Sequence, residues 1–428
     1  MSTVQTESIE QAFIAPFRQL LPETGRERRE AAVAALPAQQ VPTRKWEDWK
    51  YTNLKPLVTR GYVAAPAATV SELDPYLIPG LEADRLVFVN GRYEASLSSL
   101  SLNRKVLQVV PLSTLSGGLA EVFEAHFGQA VSGETGLFPA LNTAYASEGT
   151  LLYVPDGQVA KAPIHLIQLT VPGSEAVATQ ARNLFVMGRH AQAQVIETSR
   201  TLGEGSSLRN VVTEIFVGEE AQLTYVKMQQ ESDHASVIDH TEVHQQGNSR
   251  FDIYTLSLSG DVVRNNLLIH LMGQHTETHL MGATLISGDQ HVDHFTQIHH
   301  REPNCFSNEL YKSIIDERAT ASFYGKIHVY QDAQKTNAFQ SNRNILLSDA
   351  ANIFTKPQLE IYADDVKCSH GATTGRLDRD ALFYLMARGI PEKQARLILV
   401  HAFVMEVVEE LAIEPLKEYI GELVDRRF

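Results

Sequence analysis

The chain has little cysteine: two residues, Cys305 and Cys368, among 428. Two thiols cannot build a disulfide framework, and no C-x-x-C pair exists to suggest a zinc ribbon or a redox motif. Positive charge is also in deficit, with 37 Lys and Arg against 51 Asp and Glu and a formal net charge of -14. A nucleic-acid surface is therefore disfavoured, because affinity there rests on basic side chains neutralising phosphates. No stretch approaches the roughly 18 uninterrupted apolar residues of a membrane span. The opening "MSTVQTESIEQAF" has no basic segment leading into an apolar run, so a reducing cytosol is the expected setting. Phosphate loops are missing as well. "GEGSSL" at Gly203 lacks a third glycine, and "GATTGR" at Gly371 has the wrong spacing and no lysine after it. With no G-x-S-x-G elbow either, a serine nucleophile is not expected. Any ATP-driven process involving this chain would need another subunit to bind the nucleotide.

What is present is a globular composition, 43% hydrophobic and 21% charged, in a chain long enough for two or three domains. Residues 1–140 read as helix-rich. "SIEQAFIAPFRQLLP" and "TGRERREAAVAALPAQQ" carry helical spacing or propensity up to Pro22 and Pro37, and "GLAEVFEAHFGQAV" adds a further helical piece. Both tryptophans, Trp46 and Trp49, lie three apart in "RKWEDWKYTNLKPL", where a helical turn would put them on one face as a packing anchor. "DRLVFVNGRYEASLS" alternates about Asn90-Gly91, a strong hairpin signal that predicts a small strand pair.

Residues 141–375 read as one short strand after another, punctuated by Gly149, Gly157, Gly173, Gly188, Gly218, Gly247 and Gly273 among others. No helix of ten residues interrupts them. A sandwich, a propeller and a β-helix all fit such a run. The absence of a fixed blade signature, together with alternation in "AQLTYVKMQQ" and "RFDIYTLSLSG", favours a β-helix. Residues 376–428 turn helical again. Asp378 is a plausible N-cap, Gly389 a C-terminal stop and Pro391 the start of the next helix. In that helix Leu397, Val400, Val404, Val407 and Leu411 form one apolar stripe and Ile398, Ala402 and Met405 a flank beside it, so it either packs between neighbours or docks a partner.

Histidines crowd the strand-rich middle. In "HTETH", His275, Glu277 and His279 would share one face of a strand and mimic the two-His, one-carboxylate arrangement of non-haem iron sites. A solvated polar strand face explains the same pattern, and "HVDHFTQIHH" with it, without any metal. Cys368 and His370 in "DVKCSH" also share a face if the segment is extended. They are donors suited to zinc, copper(I) or iron-sulfur species. Two donors fall short of the usual four, so such a site must borrow ligands, and a buried structural thiol beside a satisfied histidine is the plainer reading. Asp364 and Asp365 upstream read as solvated.

The run "KPQLEIYADDVKCSHGATTGRLDRDALFYLMARGI" resembles the SufB/SufD family of the SUF iron-sulfur cluster assembly system. So do "WEDWKYTNLKPL", "FPALNTAYASEGTLLYVPDG" and "TNAFQSNRNILLSDAANIFTKP", and the likeness covers nearly the whole chain. It lies on the SufD side, since SufB-like chains typically read H-E-A where this one has His370, Gly371 and Ala372. The resemblance implies a right-handed parallel β-helix core flanked by an N-terminal helix-containing domain and a C-terminal helical domain. It implies a non-catalytic cytoplasmic subunit that pairs its β-helix with SufB and carries the SufC ATPase on its helical domain. His370 would then be a metal-ligand candidate at the SufB interface for iron or a nascent cluster, with Cys368 either joining it or remaining structural. No tightly bound cofactor is implied on the isolated chain, which could pair with a second copy of itself. The alternative from another class is a metal-dependent oxygenase or isomerase on a β scaffold, using His275, Glu277 and His279.

Overall fold

A computed structural model describes residues 10–103, 106–132 and 135–427. It is mainly β, built round a solenoid of about eight turns with helices at both chain ends. Each turn gives one strand to each of two sheets. The first sheet contains Glu148–Val154, Val177–Met187, Ser207–Val217, Ala235–Gln245, Val262–Leu271, His291–His300, Thr320–Val329 and Asn352–Ile361. The second contains Ile164–Thr170, Gln192–Thr201, Gln222–Gln230, Arg250–Ser259, Glu277–Ile286, Phe306–Ile315, Asn337–Leu346 and Lys367–Gly375. All these neighbours pair parallel, and one irregularity interrupts the register, between Gln229 and Gln230.

The repeat comes from corners rather than from a sequence motif. His190, Glu220, Asn248, His275, Asn304 and Lys335 all have left-handed φ, and they fall one per turn at the same corner. Their amides bond from turn to turn, as in Glu220 N to Gly247 O at 3.0 Å and Asn248 N to Gln274 O at 2.8 Å. The glycines beside them stack so closely that a Cβ on Gly273 would lie 2.2 Å from the Gly247 nitrogen.

The N-terminal region is woven into the solenoid. Asn90-Gly91 does turn a hairpin, Asp84–Val89 against Arg92–Tyr93, but its first strand pairs parallel with Ile164–Thr170 and so extends the second sheet. Gln108–Pro111 runs antiparallel to Glu148–Val154 and ends the first sheet. The expected helix near the start is instead a wide turn, Glu10–Ile14, followed by a tight one, Ala15–Leu20. Pro16 lacks the amide hydrogen an α-helix needs. Ser8 and Ile9 of that expectation lie outside the described residues.

The helix Leu137–Tyr145 is buried along its whole length on the outer face of the first sheet. Asn142 donates to the Ala181 carbonyl at 2.7 Å, and Phe138 and Leu141 pack with Ala178, Leu208 and Ile238. Beneath it the buried Arg182 pairs with Glu214, whose carboxylate also accepts from the amides of Gly128, Ala130 and Val131 at 2.8–3.0 Å. A buried ion pair needs such extra bonds to offset desolvation.

The tryptophan segment is a strap across the same face, and its two tryptophans do not share a role. Trp49 packs on Phe138 with the Arg264 guanidinium 4.5 Å over its ring, whereas Trp46 is 43% exposed. The backbone is extended at Trp46, and the helical turn Glu47–Trp49 begins after it. Farther along, Thr52 bonds Asp293, Tyr51 stacks on Phe354 at 4.4 Å and Glu47 pairs with Lys356 at 2.6 Å.

Asp378 caps the helix Arg379–Ala387, accepting from the amides of Asp380 and Ala381 at 2.8 and 3.2 Å, and Gly389 follows with φ 87°. The helices Glu392–Met405 and Glu414–Arg427 cover the outer face of the second sheet, where Val400, Val404, Val407, Leu416 and Ile420 meet Ile196, Val226, Met228 and Leu256. The buried Lys312 ammonium fastens the end of the first, bonding the Phe403 carbonyl at 3.0 Å and pairing with Glu406. Ile398 remains exposed, so the two apolar flanks of this helix have different surroundings. Among the described residues no helix is long and apolar enough to cross a membrane.

Candidate functional site at the open end of the solenoid

Lys367–Gly375 is the last strand of the second sheet, bonded on one side only, to Asn337–Leu346. Alternation along a strand fixes what lies inside. One inward row runs through successive turns as Val195, Tyr225, Ile253, Leu280, Glu309, Gln340 and His370. A second runs as Leu223, Phe251, Thr278, Ser307, Ala338 and Cys368. Cys368 and His370 therefore do share a face, the one that continues the solenoid interior.

No further turn covers this interior. Cys368 is half-buried against the apolar core, while His370 is exposed. Among the described residues no side chain hydrogen-bonds His370. Burial pushes the Cys368 thiol up, offset in part by the Ala338 backbone. Asp364 and Asp365 are exposed in the preceding turn, where the Asp365 carbonyl accepts from Lys335 and its amide donates to Gln334. Cys305 is buried, its thiol donating to the Gly273 carbonyl at 3.3 Å. The next inward position beneath His370 is Gln340, which donates to Glu309 at 2.7 Å, and Thr296 donates to the same carboxyl at 2.6 Å. Full burial raises the Glu309 carboxyl to about 7.

The structure does not assemble the "HTETH" site. His275 is a corner residue with φ 59°, outside the strand that starts at Glu277. Glu277 pairs with Arg250 at 2.7 Å and accepts from His279 at 2.9 Å, so the strand-face triad of the oxygenase alternative is broken by a turn.

Another cluster forms that spacing along the chain hides. On the outer face of the first sheet His244, His270, His299 and His328 occupy one cross-strand row, with Phe216 before them and Glu360 after. Consecutive rings lie 5.2, 4.8 and 5.7 Å apart. Glu242, two residues from His244, accepts from His270 at 2.9 Å and His240 at 3.3 Å. Burial alone would push its carboxyl up, but these bonds bring it down to about 2. Burial and neighbouring cations lower His299 to about 4, and burial lowers His244. The available signal was one histidine per turn at intervals of roughly thirty residues, a period that marks stacked repeats.

Comparison with known proteins agrees with this architecture. Residues 170–403 match the SufBD core domain of the SUF system for FeS cluster assembly, and residues 18–166 match the SufBD protein N-terminal region. An iron-sulfur cluster assembly SufBD family protein of Synechocystis is 33% identical over 410 residues, 94% of this chain and 90% of the relative. The iron-sulfur cluster assembly protein SufD of Escherichia coli is 31% identical over 90% of this chain and 89% of its own length, and SufD of Bacillus subtilis is 25% identical over 92% and 90%. With a family match over more than half its length and relatives that align nearly end to end, the chain belongs to the SufBD family of the SUF system.

Proposed function

We propose that the chain is a non-catalytic subunit of a cytoplasmic SUF assembly scaffold, in which its open solenoid end pairs with SufB and its C-terminal helices carry the SufC ATPase. Iron or the nascent cluster is the cargo of this assembly. His370, with Cys368 beside it, would offer ligands at the shared interface. The observation that carries the reading is the edge strand Lys367–Gly375, paired on one side only, which displays both donors where another chain's strand can add. Thiol and imidazole are suitable donors for iron-sulfur species, but they supply half of a ligand set. A second chain must supply the remainder.

A separate surface suits the ATPase. Phe383, Tyr384 and Met386 on Arg379–Ala387 are exposed, Phe383 by 73%, and Ile398 on the following helix is exposed too. Apolar exposure on this scale marks a protein interaction site. Closure of paired ATPases would pull on these helices, the second of which Lys312 fastens to the second sheet, and so reshape the interface that holds His370.

The test is anaerobic iron and sulfide content of complex co-purified with SufB and SufC from cells making wild type, His370→Ala or His275→Ala. The expected result is an intact complex with less iron for His370→Ala and an unchanged one for His275→Ala. Unchanged iron in His370→Ala overturns the ligand assignment. A chain that fails to co-purify with SufB when Lys367–Gly375 is intact overturns the pairing.

A further inference from the structure

We propose that Glu242, His244 and His270 bind a divalent transition-metal ion on the outer face of the first sheet, at a site separate from His370. One donor atom from each lies within 4.8 Å of the others, so rotamer adjustments of about an ångström would bring them to the 2.0–2.2 Å metal distances of imidazole and carboxylate ligands. All three sit on strands: Glu242 and His244 share a face of Ala235–Gln245, and His270 is the register partner of His244 on Val262–Leu271. The sheet backbone therefore fixes their separation, as a preorganised site requires. Two imidazoles and one carboxylate form a borderline donor set, suited to Zn(II), Fe(II) or Co(II) rather than Mg(II) or Ca(II).

The surroundings already orient the ligands. His240 holds the far carboxylate oxygen of Glu242 at 3.3 Å, and the His299 ring stacks on His270 at 4.8 Å. Glu242 and His270 side chains are 9% and 13% exposed, enough for an ion to enter from solvent and too little for either to be a freely moving surface group. One nearby charge opposes a cation: the Arg301 guanidinium lies 3.5 Å from His270 Nδ1 and is held over the Tyr330 ring. The row continues as His299, His328 and Glu360 towards the open end. The proposal does not depend on the interface role of His370.

The test is Co(II) titration of the purified, metal-stripped full chain under anaerobic conditions, followed by visible d–d absorption, with Zn(II) and Mg(II) as competitors. Wild type, His370→Ala and His275→Ala should bind one equivalent that Zn(II) displaces and Mg(II) does not. Glu242→Gln, His244→Asn and His270→Asn should each weaken binding by about 10- to 100-fold, and Arg301→Gln should tighten it. Thermal melts in chelator establish that each variant folds, and the asparagine changes keep the shape and polarity of the site. No saturable binding up to about 100 µM Co(II) overturns the site. So does binding that survives His244→Asn combined with His270→Asn, or that disappears in His370→Ala.

Discussion

The early and late turns of the solenoid are built to the same register but finished differently. Val177–Met187 is buried at every position, because the helix Leu137–Tyr145 and, over Leu184 and Val186, the rings of Phe123 and Phe127 cover its outer face while the core fills its inner one. Such a strand reads as a near-continuous run rather than an alternation. Asn337–Leu346 alternates, and Lys367–Gly375 is almost wholly exposed. The inward row records the same gradient in residue type, from Ile253 and Leu280 through Glu309 and Gln340 to His370. A position that is packed in one turn is exposed where no turn follows it, since neighbours rather than the strand itself decide what a residue meets.

Substitutions along that row should separate the two regimes. Leu280→Ala removes a fully buried side chain from a layer with turns on both sides. It should cost about 3 kcal/mol, seen as a lower urea midpoint with an unchanged slope. If the cost is instead below about 1 kcal/mol, the middle of the solenoid is as loose as its end.

Glu309 sits at the transition and should show it as a pH dependence. Its folded-state value of about 7 lies above the ordinary carboxyl range, so between about pH 4.5 and 7 the folded chain retains a proton that the unfolded chain has released. Stability should fall across that window by roughly 3 kcal/mol and level off above it. Glu309→Gln should flatten this contribution, leaving the variant the more stable of the two at pH 8. Parallel pH profiles for variant and wild type would show that the carboxyl is hydrated and that the late interior is not dry.

The smallest effect on folding belongs to the end of the row. His370→Ala should change the isolated chain's stability by less than about 0.5 kcal/mol, as expected for an exposed residue. A larger loss would mean that His370 packs, and would remove the contrast on which its proposed role rests.

Local signals were legible in the sequence because their causes are local. The Asn90-Gly91 turn, the Asp378 cap and the Gly389 stop each depend on a few consecutive residues, and all three are present. The shared face of Cys368 and His370 also follows from spacing alone. What could not be read is what lies one turn away. Nothing in "HTETH" marks His275 as a left-handed corner. Nothing in "WEDW" marks the turn boundary that separates Trp46 from Trp49. Glu242, His244 and His270 meet through strand register, which no local pattern encodes. The stacked glycines Gly188, Gly218, Gly247 and Gly273 held the period, but as backbone clearance at a corner rather than as a repeated word.

The corners carry an evolutionary consequence. Strands of the second sheet begin at Gln222, Arg250, Glu277, Phe306, Asn337 and Lys367, at unequal intervals, yet their pairing stays in step. The extra or missing residues are absorbed where the chain turns, because a one-residue slip inside a strand would exchange its two faces. Insertions and deletions among relatives should therefore collect at corners, and alignments that place gaps within strands should be redrawn before any residue is matched to Cys368 or His370.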